Sequence, residues 1–241
     1  MLQARANLES LLRSRRLDRT LTPVDGQPSY DVAATGITGL DASLGGGFPR
    51  GQISELVGPR SSGRTSLMLR MLAAATARGE LVALIDVLDM LDVESAAARG
   101  VDLARLLWIR GLAVINPGMC RDLNQRAIEQ TIRALALVLQ AGNFGLVVFD
   151  AAEAPPGALR RLPFTTWLRL QRIVAGSTTV CLLVGTETMG RSSAGLTVRV
   201  GRSGIRFSRR LFGGLDVEAR IARARLRTQD HVRVPLSTAA I

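Results

Sequence analysis

Short apolar runs alternate with segments of helical periodicity from about residue 32 to residue 185. Continuous apolar runs predict strands buried on both faces, and the longer segments between them predict helices. The strands are expected at Gln52–Val57, Leu81–Asp86, Leu106–Ile109, Gly145–Asp150 and Val180–Gly185, and the helices at Thr65–Arg78, Cys120–Gln140 and Leu162–Val174. Strands alternating with helices are typical of an α/β fold with a mainly parallel, twisted sheet flanked by helices.

The two ends of the chain have different patterns. Residues 2–17 alternate leucines with arginines, which predicts a short amphipathic helix, and the polar stretch Thr22–Tyr30 predicts a linker. Near the C-terminus, Leu196–Val200, Ile205–Ser208 and Leu215–Arg225 alternate with period two. This pattern predicts antiparallel strands with one solvent-exposed face that bears arginines. We therefore divide the chain into an N-terminal helix and linker, residues 1–31, and a core domain, residues 32–241.

Composition excludes several classes of protein. With 241 residues and 47% hydrophobic residues, the chain can bury a sizeable core. Its two cysteines, Cys120 and Cys181, are too few for a disulfide framework and suit a reducing compartment. No uncharged apolar run of about 18 residues occurs and the N-terminus lacks an apolar signal segment, so a cytoplasmic protein without a membrane span is expected. The single histidine, His231, argues against a histidine-based metal site or catalytic triad.

The positive charge is concentrated in the C-terminal third. The formal net charge is +11, and all 31 basic residues are arginine. Residues 1–154 are balanced, whereas residues 155–241 hold 15 arginines and four acidic residues, so the whole excess lies there. One-sided charge of this kind attracts polyanions, nucleic acid first. The alternative is a solvated basic face in an arginine-rich protein.

A glycine-rich loop follows the first long strand. Its residues are Gly58, Pro59, Arg60, Ser61, Ser62, Gly63, Arg64, Thr65 and Ser66. A strand, such a loop and a helix form the context of a phosphate-binding loop, in which backbone N–H groups converge on phosphate. Thr65 and Asp150, which ends a later strand, would hold Mg²⁺ if ATP binds. The usual lysine is replaced by Arg64, whose larger guanidinium cannot present a compact ammonium. Alternatively, the loop only shapes the turn between strand and helix.

The central sequence resembles the RecA family. The resemblance rests on Thr35–Gly47, Pro49–Glu55, Gly58–Leu67, Leu84–Asp86 and Gly100–Asp102, and it extends over about residues 32–185. It implies a RecA-like core that binds ATP with Mg²⁺. It also implies that DNA, single-stranded DNA above all, contacts the region after the last parallel strand. The arginines there are Arg191, Arg199, Arg202, Arg206, Arg209 and Arg210.

Four nucleotide-handling positions depart from the RecA pattern. Leu88 stands where the resemblance places a catalytic glutamate, Ser95 where it places an adenine-stacking tyrosine, and Thr186 where it places a phosphate-sensing glutamine. Arg64 is the fourth departure. Asp86 and Asp89 are the carboxylates left as catalytic candidates, although a strand-end aspartate such as Asp86 also serves to cap the next segment. Together these departures imply weak or absent ATP hydrolysis.

This set of departures is similar to that of the ImuA family of bacterial mutagenesis cassettes. That resemblance implies an accessory role in damage-induced translesion synthesis, with RecA or an inactive Y-family polymerase homologue as partner. The N-terminal helix would dock on a second copy, on RecA, or on its own domain. Two other functions stay open. One is a DNA-stimulated ATPase, and the other is a protein scaffold that does not bind DNA.

Overall fold

The computed structural model describes residues 31–190, 194–208, 211–224 and 232–237. In this part of the chain, helices cover both faces of a central sheet. A 3-10 turn at Leu103–Arg105 precedes one edge strand. The helices are α1 (Thr38–Leu44), α2 (Arg64–Ala77), α3 (Val93–Ala98), α4 (Arg121–Ala141), α5 (Pro156–Arg160) and α6 (Phe164–Val174).

The described strands form one large sheet and one short pair. They are β1 (Val32–Ala33), β2 (Phe48–Pro49), β3 (Gln52–Val57), β4 (Val82–Asp86), β5 (Leu106–Arg110), β6 (Leu146–Asp150), β7 (Val180–Gly185), β8 (Ala194–Ser208), β9 (Leu211–Ala224) and β10 (Val232–Ser237). The order in the large sheet is β10-β9-β8-β3-β7-β6-β4-β5. Strands β3 to β7 pair in parallel, and β8–β9 and β9–β10 pair antiparallel. This confirms the α/β fold class.

Two apolar cores lie on opposite faces of the sheet. On β4, Leu84 packs into the core beneath α2, whereas the next residue, Ile85, packs into the core beneath α4 and α6. The same alternation runs along β6 and β7 because side chains of a strand point to opposite faces. Both faces are thus buried, which explains why these strands have continuous apolar sequences. Trp167 of α6 is 2% exposed within the second core and acts there as a packing residue.

The C-terminal part corrects two predictions. Leu196–Val200 and Ile205–Ser208 belong to one strand, β8, whose register shifts at three places. In addition, β8 pairs in parallel with β3 on one side and antiparallel with β9 only on the other. Bulges keep a strand continuous through residues that would otherwise end it, so the polar interruption near Arg202 does not end β8. Strand β10 and helices α1, α3 and α5 were not predicted.

The predicted helix at Leu162–Val174 begins later, at Phe164. Pro163 disfavours a helical conformation at Leu162, so the helix begins after the proline. The predicted N-terminal helix and linker, His231, Arg191, Arg209 and Arg210 lie outside the described residues. Among the described helices, none is both long and apolar enough to cross a bilayer.

Candidate functional site

The glycine-rich loop connects the carboxyl end of β3 to the first turn of α2. Gly58 is buried, and a Cβ atom there would lie 2.3 Å from the carbonyl oxygen of Val200 on β8. Gly63, which precedes α2, has φ 89°, a conformation that favours glycine. No side chain caps the start of α2, so its first N–H groups are free of side-chain partners. The loop thus leads through two glycines into a helix N-terminus that no side chain caps, the kind of backbone end that can bind an anion.

A cavity of about 500 Å³ opens beside this loop, between the ends of β4 and β6. Four carboxylates and two arginines lie on its wall, together with loop hydroxyl groups and apolar side chains. The polar wall is formed by Arg60, Ser61, Thr65, Ser66, Asp86, Asp92, Ser95, Arg99, Asp150 and Glu153. Leu88 and Met90 contribute apolar surface to the same wall. The structure thus brings half of the predicted cofactor-binding residues, Arg60, Ser61, Thr65, Ser66 and Asp150, together at one cavity.

Arg64 is held by the protein itself. Its side chain is 5% exposed. One Nη atom donates to the carbonyl oxygen of Ala152 and the other to Oε1 of Glu153, both at 3.3 Å. Burial lowers the pKa of Arg64, and the charges of Glu153 and Asp150 oppose that effect. The guanidinium that replaces the usual lysine therefore joins the loop to the segment after β6.

Two aspartates lie side by side at the carboxyl ends of β4 and β6. Asp86 and Asp150 are directly paired in the register of these strands. Burial, assisted by the nearby charge of Asp86, raises the pKa of Asp150 to about 6, while its hydrogen bond from the Ala152 N–H opposes the rise. Asp86 accepts hydrogen bonds from the Leu91 N–H at 2.8 Å and from the Trp108 indole N–H at 3.3 Å. Its carboxylate thus caps the segment after β4.

The position of the expected catalytic carboxylate is apolar. Leu88, which stands where the resemblance places a catalytic glutamate, lines the cavity. Asp89 is not among the residues of the cavity wall, and Arg110 donates to both of its carboxylate oxygens, at 2.7 and 2.6 Å. Arg110 in turn lies over the ring of Trp108, 4.9 Å from its centroid. The carboxylate of Asp89 therefore forms a surface ion pair with Arg110.

Two of the predicted DNA-binding arginines have described side chains. Arg199 and Arg202 are both exposed on β8. Arg199 is paired in register with Val57, the residue directly before the loop. Arg206 lies further along the same strand. Exposed arginines thus lie close to the phosphate loop along one strand of the sheet.

The sequence did not identify Glu153 as a site residue. Its two carboxylate oxygens bind Arg60, at 3.1 Å, and Arg64, at 3.3 Å. Its closeness in sequence to Asp150, the aspartate that ends β6, was the available signal, since residues after parallel strands meet at one edge of a sheet.

Among the described residues, no cluster of three acidic, cysteine or histidine side chains is arranged to hold a metal ion. Cys181 is buried, which raises the pKa of its thiol to about 12 and leaves it unreactive.

Comparisons with known proteins agree with this architecture. A family model, the RecA N-terminal domain, matches residues 21–154. Protein RecA of Streptomyces venezuelae is 36% identical over 138 residues, or 57% of this chain and 31% of that protein. Protein RecA of Helicobacter pylori is 38% identical over 125 residues, or 52% of this chain and 32% of that protein. The chain thus spans about a third of these curated relatives.

A solved structure covers more of the chain. The crystal structure of the RadB recombinase superposes with a TM-score of 0.62 and 20% identity, covering 86% of this chain and 97% of that one. At this identity the similarity concerns the fold, and it includes strands beyond the region matched by the family model.

Proposed function

Because the chain belongs to the RecA N-terminal domain family, we propose that it is a DNA-repair accessory protein with weak or absent ATP hydrolysis. The observation that carries this proposal is the apolar side chain of Leu88 on the cavity wall, with Asp89 bound by Arg110 outside the cavity. Hydrolysis of a phosphoanhydride requires a residue that orients the attacking water or accepts its proton. A leucine does neither.

RecA-type proteins bind ATP with Mg²⁺, and the backbone of the loop suits a phosphate. The hydroxyl of Ser62 in this loop is buried without a hydrogen-bond partner among the described residues. Thr65 and Asp150 are the residues that would hold the metal ion. The charged side chains do not fit a triphosphate, because Arg64 is bound to Glu153 and the Glu153 carboxylate lies on the cavity wall. We therefore assign no reaction step to ATP.

The proposed DNA-binding surface is the arginine-bearing strand β8. Its support is the exposure of Arg199 and Arg202 and the concentration of positive charge in the C-terminal third. Arginine binds phosphate oxygens with its planar fork, so such a strand suits a DNA backbone. Arg206, also on β8, belongs to this proposed surface. Arg191, Arg209 and Arg210 remain proposed DNA contacts from the sequence.

The proposed biological role is damage-induced translesion synthesis, as in ImuA proteins. The support is the combined loss of four nucleotide-handling features at Arg64, Leu88, Ser95 and Thr186. The proposed protein partners are RecA and a translesion polymerase subunit such as an inactive Y-family homologue. Self-association through the amphipathic residues 2–17 is part of the same proposal.

ATP turnover by the purified protein, with and without single-stranded DNA, tests the absence of hydrolysis. We expect turnover no higher than that of a protein-free blank under both conditions. Turnover that increases when DNA is added would refute the proposal and identify a working ATPase of the RecA type.

Measurements of DNA affinity test the proposed DNA-binding surface on β8. Replacing Arg199 and Arg202 together by serine should weaken binding to single-stranded DNA. It should also reduce the slope of log affinity against log salt by about 1–1.5, since each phosphate contact contributes about 0.7 for single strands. The matched control replaces Arg121 and Arg126, two exposed arginines of α4, by serine. Equal losses in both variants would remove β8 from the proposed surface, and no DNA binding by the unmodified protein would favour a scaffold.

A further inference from the structure

Glu153 connects both charged ends of the phosphate loop. Arg60 lies near the beginning of the loop and Arg64 at its end, and each binds a different oxygen of the Glu153 carboxylate. The exposures of these side chains differ widely, from 76% for Arg60 to 24% for Glu153 and 5% for Arg64. One carboxylate is thus the common counter-ion of the two arginines that the loop would offer to phosphate.

A bound phosphate would have to compete with this carboxylate. Phosphate and carboxylate both form paired hydrogen bonds with the planar guanidinium group, so they compete for the same donors. Glu153 is additionally on the cavity wall together with Asp86 and Asp150, and their combined negative charge repels a polyphosphate. Arg64 cannot move freely, because the Ala152 carbonyl and the helix that it begins also hold it.

We infer that the Glu153 carboxylate is an internal occupant of the phosphate site, and that it lowers the affinity of the loop for polyphosphates by holding Arg60 and Arg64. This inference rests on the proposed function, in which the nucleotide site is inactive. It adds the residue that lowers the affinity of the site for polyphosphates. Glu153 is a positioning residue here, acting through the two arginines. The ligand class is a polyphosphate, free or as part of a nucleotide.

The test replaces Glu153 by glutamine and measures binding of inorganic tripolyphosphate by calorimetry. E153Q retains the shape of the side chain and one acceptor oxygen but loses the negative charge. We expect it to bind tripolyphosphate about tenfold more tightly than the unmodified protein, because a charge-assisted pair no longer competes. Saturating tripolyphosphate should correspondingly raise the melting temperature of E153Q more than that of the unmodified protein.

The matched control is Glu187→Gln. Glu187 forms a comparable ion pair with Arg160, at 2.6 Å, and is absent from the wall of the phosphate cavity. We expect E187Q to bind tripolyphosphate as the unmodified protein does. If E187Q gains as much affinity for tripolyphosphate as E153Q, the gain is due to net charge alone and the inference is wrong. An unchanged tripolyphosphate affinity of E153Q would also overturn it.

Arg64 is buried, so E153Q has a risk of unfolding. A second variant, Glu153→Asp, retains the charge but is one methylene shorter and cannot reach both arginines equally well. If E153Q does not fold, E153D should show a smaller gain in affinity, and an unchanged E153D would overturn the inference.

A third variant separates this inference from the proposed function. Leu88→Glu supplies the missing carboxylate and leaves the Glu153 pairs in place. If L88E hydrolyses ATP with the same KM as the double variant L88E/E153Q, Glu153 does not lower the affinity of the loop, which contradicts the inference and leaves the proposed function of the natural sequence intact. Turnover by the unmodified protein would instead contradict the proposed function.

Discussion

The substitution Asp150→Asn should stabilise the protein at neutral pH and remove the contribution of Asp150 to the pH dependence of stability. The pKa of Asp150 rises from 3.8 to about 6 on folding, mainly because of burial. The folded protein therefore binds this proton more tightly than the unfolded chain. The contribution of Asp150 to the free energy of unfolding therefore falls as the pH rises from about 4 to about 6, and it stays at the lower level above that range.

The magnitude follows from the two pKa values. A rise of this size corresponds to about 3 kcal/mol of unfavourable free energy for ionised Asp150 at pH 7.5. The negative charge of Asp150 also partly compensates the buried Arg64, and this compensation is lost in the variant. Asparagine retains an oxygen that can accept the Ala152 N–H. We therefore expect a net gain of about 1–2 kcal/mol, or a few degrees in melting temperature.

Thermal unfolding between pH 4 and pH 8 measures both effects. D150N should unfold at a higher temperature than the unmodified protein at pH 7.5, and the difference should shrink toward pH 4. The control is Asp92→Asn, because Asp92 caps α3 on the same cavity wall and asparagine caps helices equally well. A D150N protein that is less stable than the unmodified one at pH 7.5 would refute the assigned burial cost.

Three further substitutions test other contacts. Glu55→Ala should lower the free energy of unfolding by about 3 kcal/mol or more in denaturant titrations, because the buried carboxylate accepts the N–H groups of Met189 and Gly190 and the Thr197 hydroxyl. Gly58→Ala should cost about 1–3 kcal/mol in the same titration, because its Cβ atom would overlap a backbone carbonyl. Arg110→Ala should leave tripolyphosphate affinity unchanged in calorimetry, since this arginine lies outside the cavity wall. An unchanged free energy of unfolding in either of the first two variants would contradict the contact assigned to it. A changed tripolyphosphate affinity in the third would contradict the position of Arg110 outside the site.

The central strands could be predicted because the apolar residues in their own sequences are a local signal for buried strands. Gln52–Val57 and Val180–Gly185 match the observed strands at both ends, since glycines at positions 51, 58 and 185 mark where these largely apolar segments begin or end. Helix α3, by contrast, is six residues long, so its sequence is too short for a periodic signal. The course of β8 depends on its neighbours β3 and β9, and no local pattern indicates such pairings.

The site was predictable to the extent that it is local. The loop residues are consecutive in sequence, and the strand-end position of Asp150 follows from its apolar run. The Arg64–Glu153 pair joins residues 89 positions apart, and the Asp89–Arg110 pair joins residues 21 apart. Both arginines were visible as charges in the sequence. Their partners depend on which strand ends meet in the sheet, and the hydrophobic pattern predicts the strands without predicting their order.

In the proposed function, Leu88 and Glu153 would act on different steps of a nucleotide cycle. A leucine at position 88 has no polar atom with which to orient the attacking water or accept its proton. The Glu153 carboxylate weakens binding of the phosphates before any water is needed. Restoring the glutamate alone leaves two loop arginines committed to Glu153, and removing Glu153 alone leaves no proton acceptor at the leucine position. The close contact between Gly58 and β8 is in any case a structural reason for the shape of the loop, and this reason does not depend on hydrolysis.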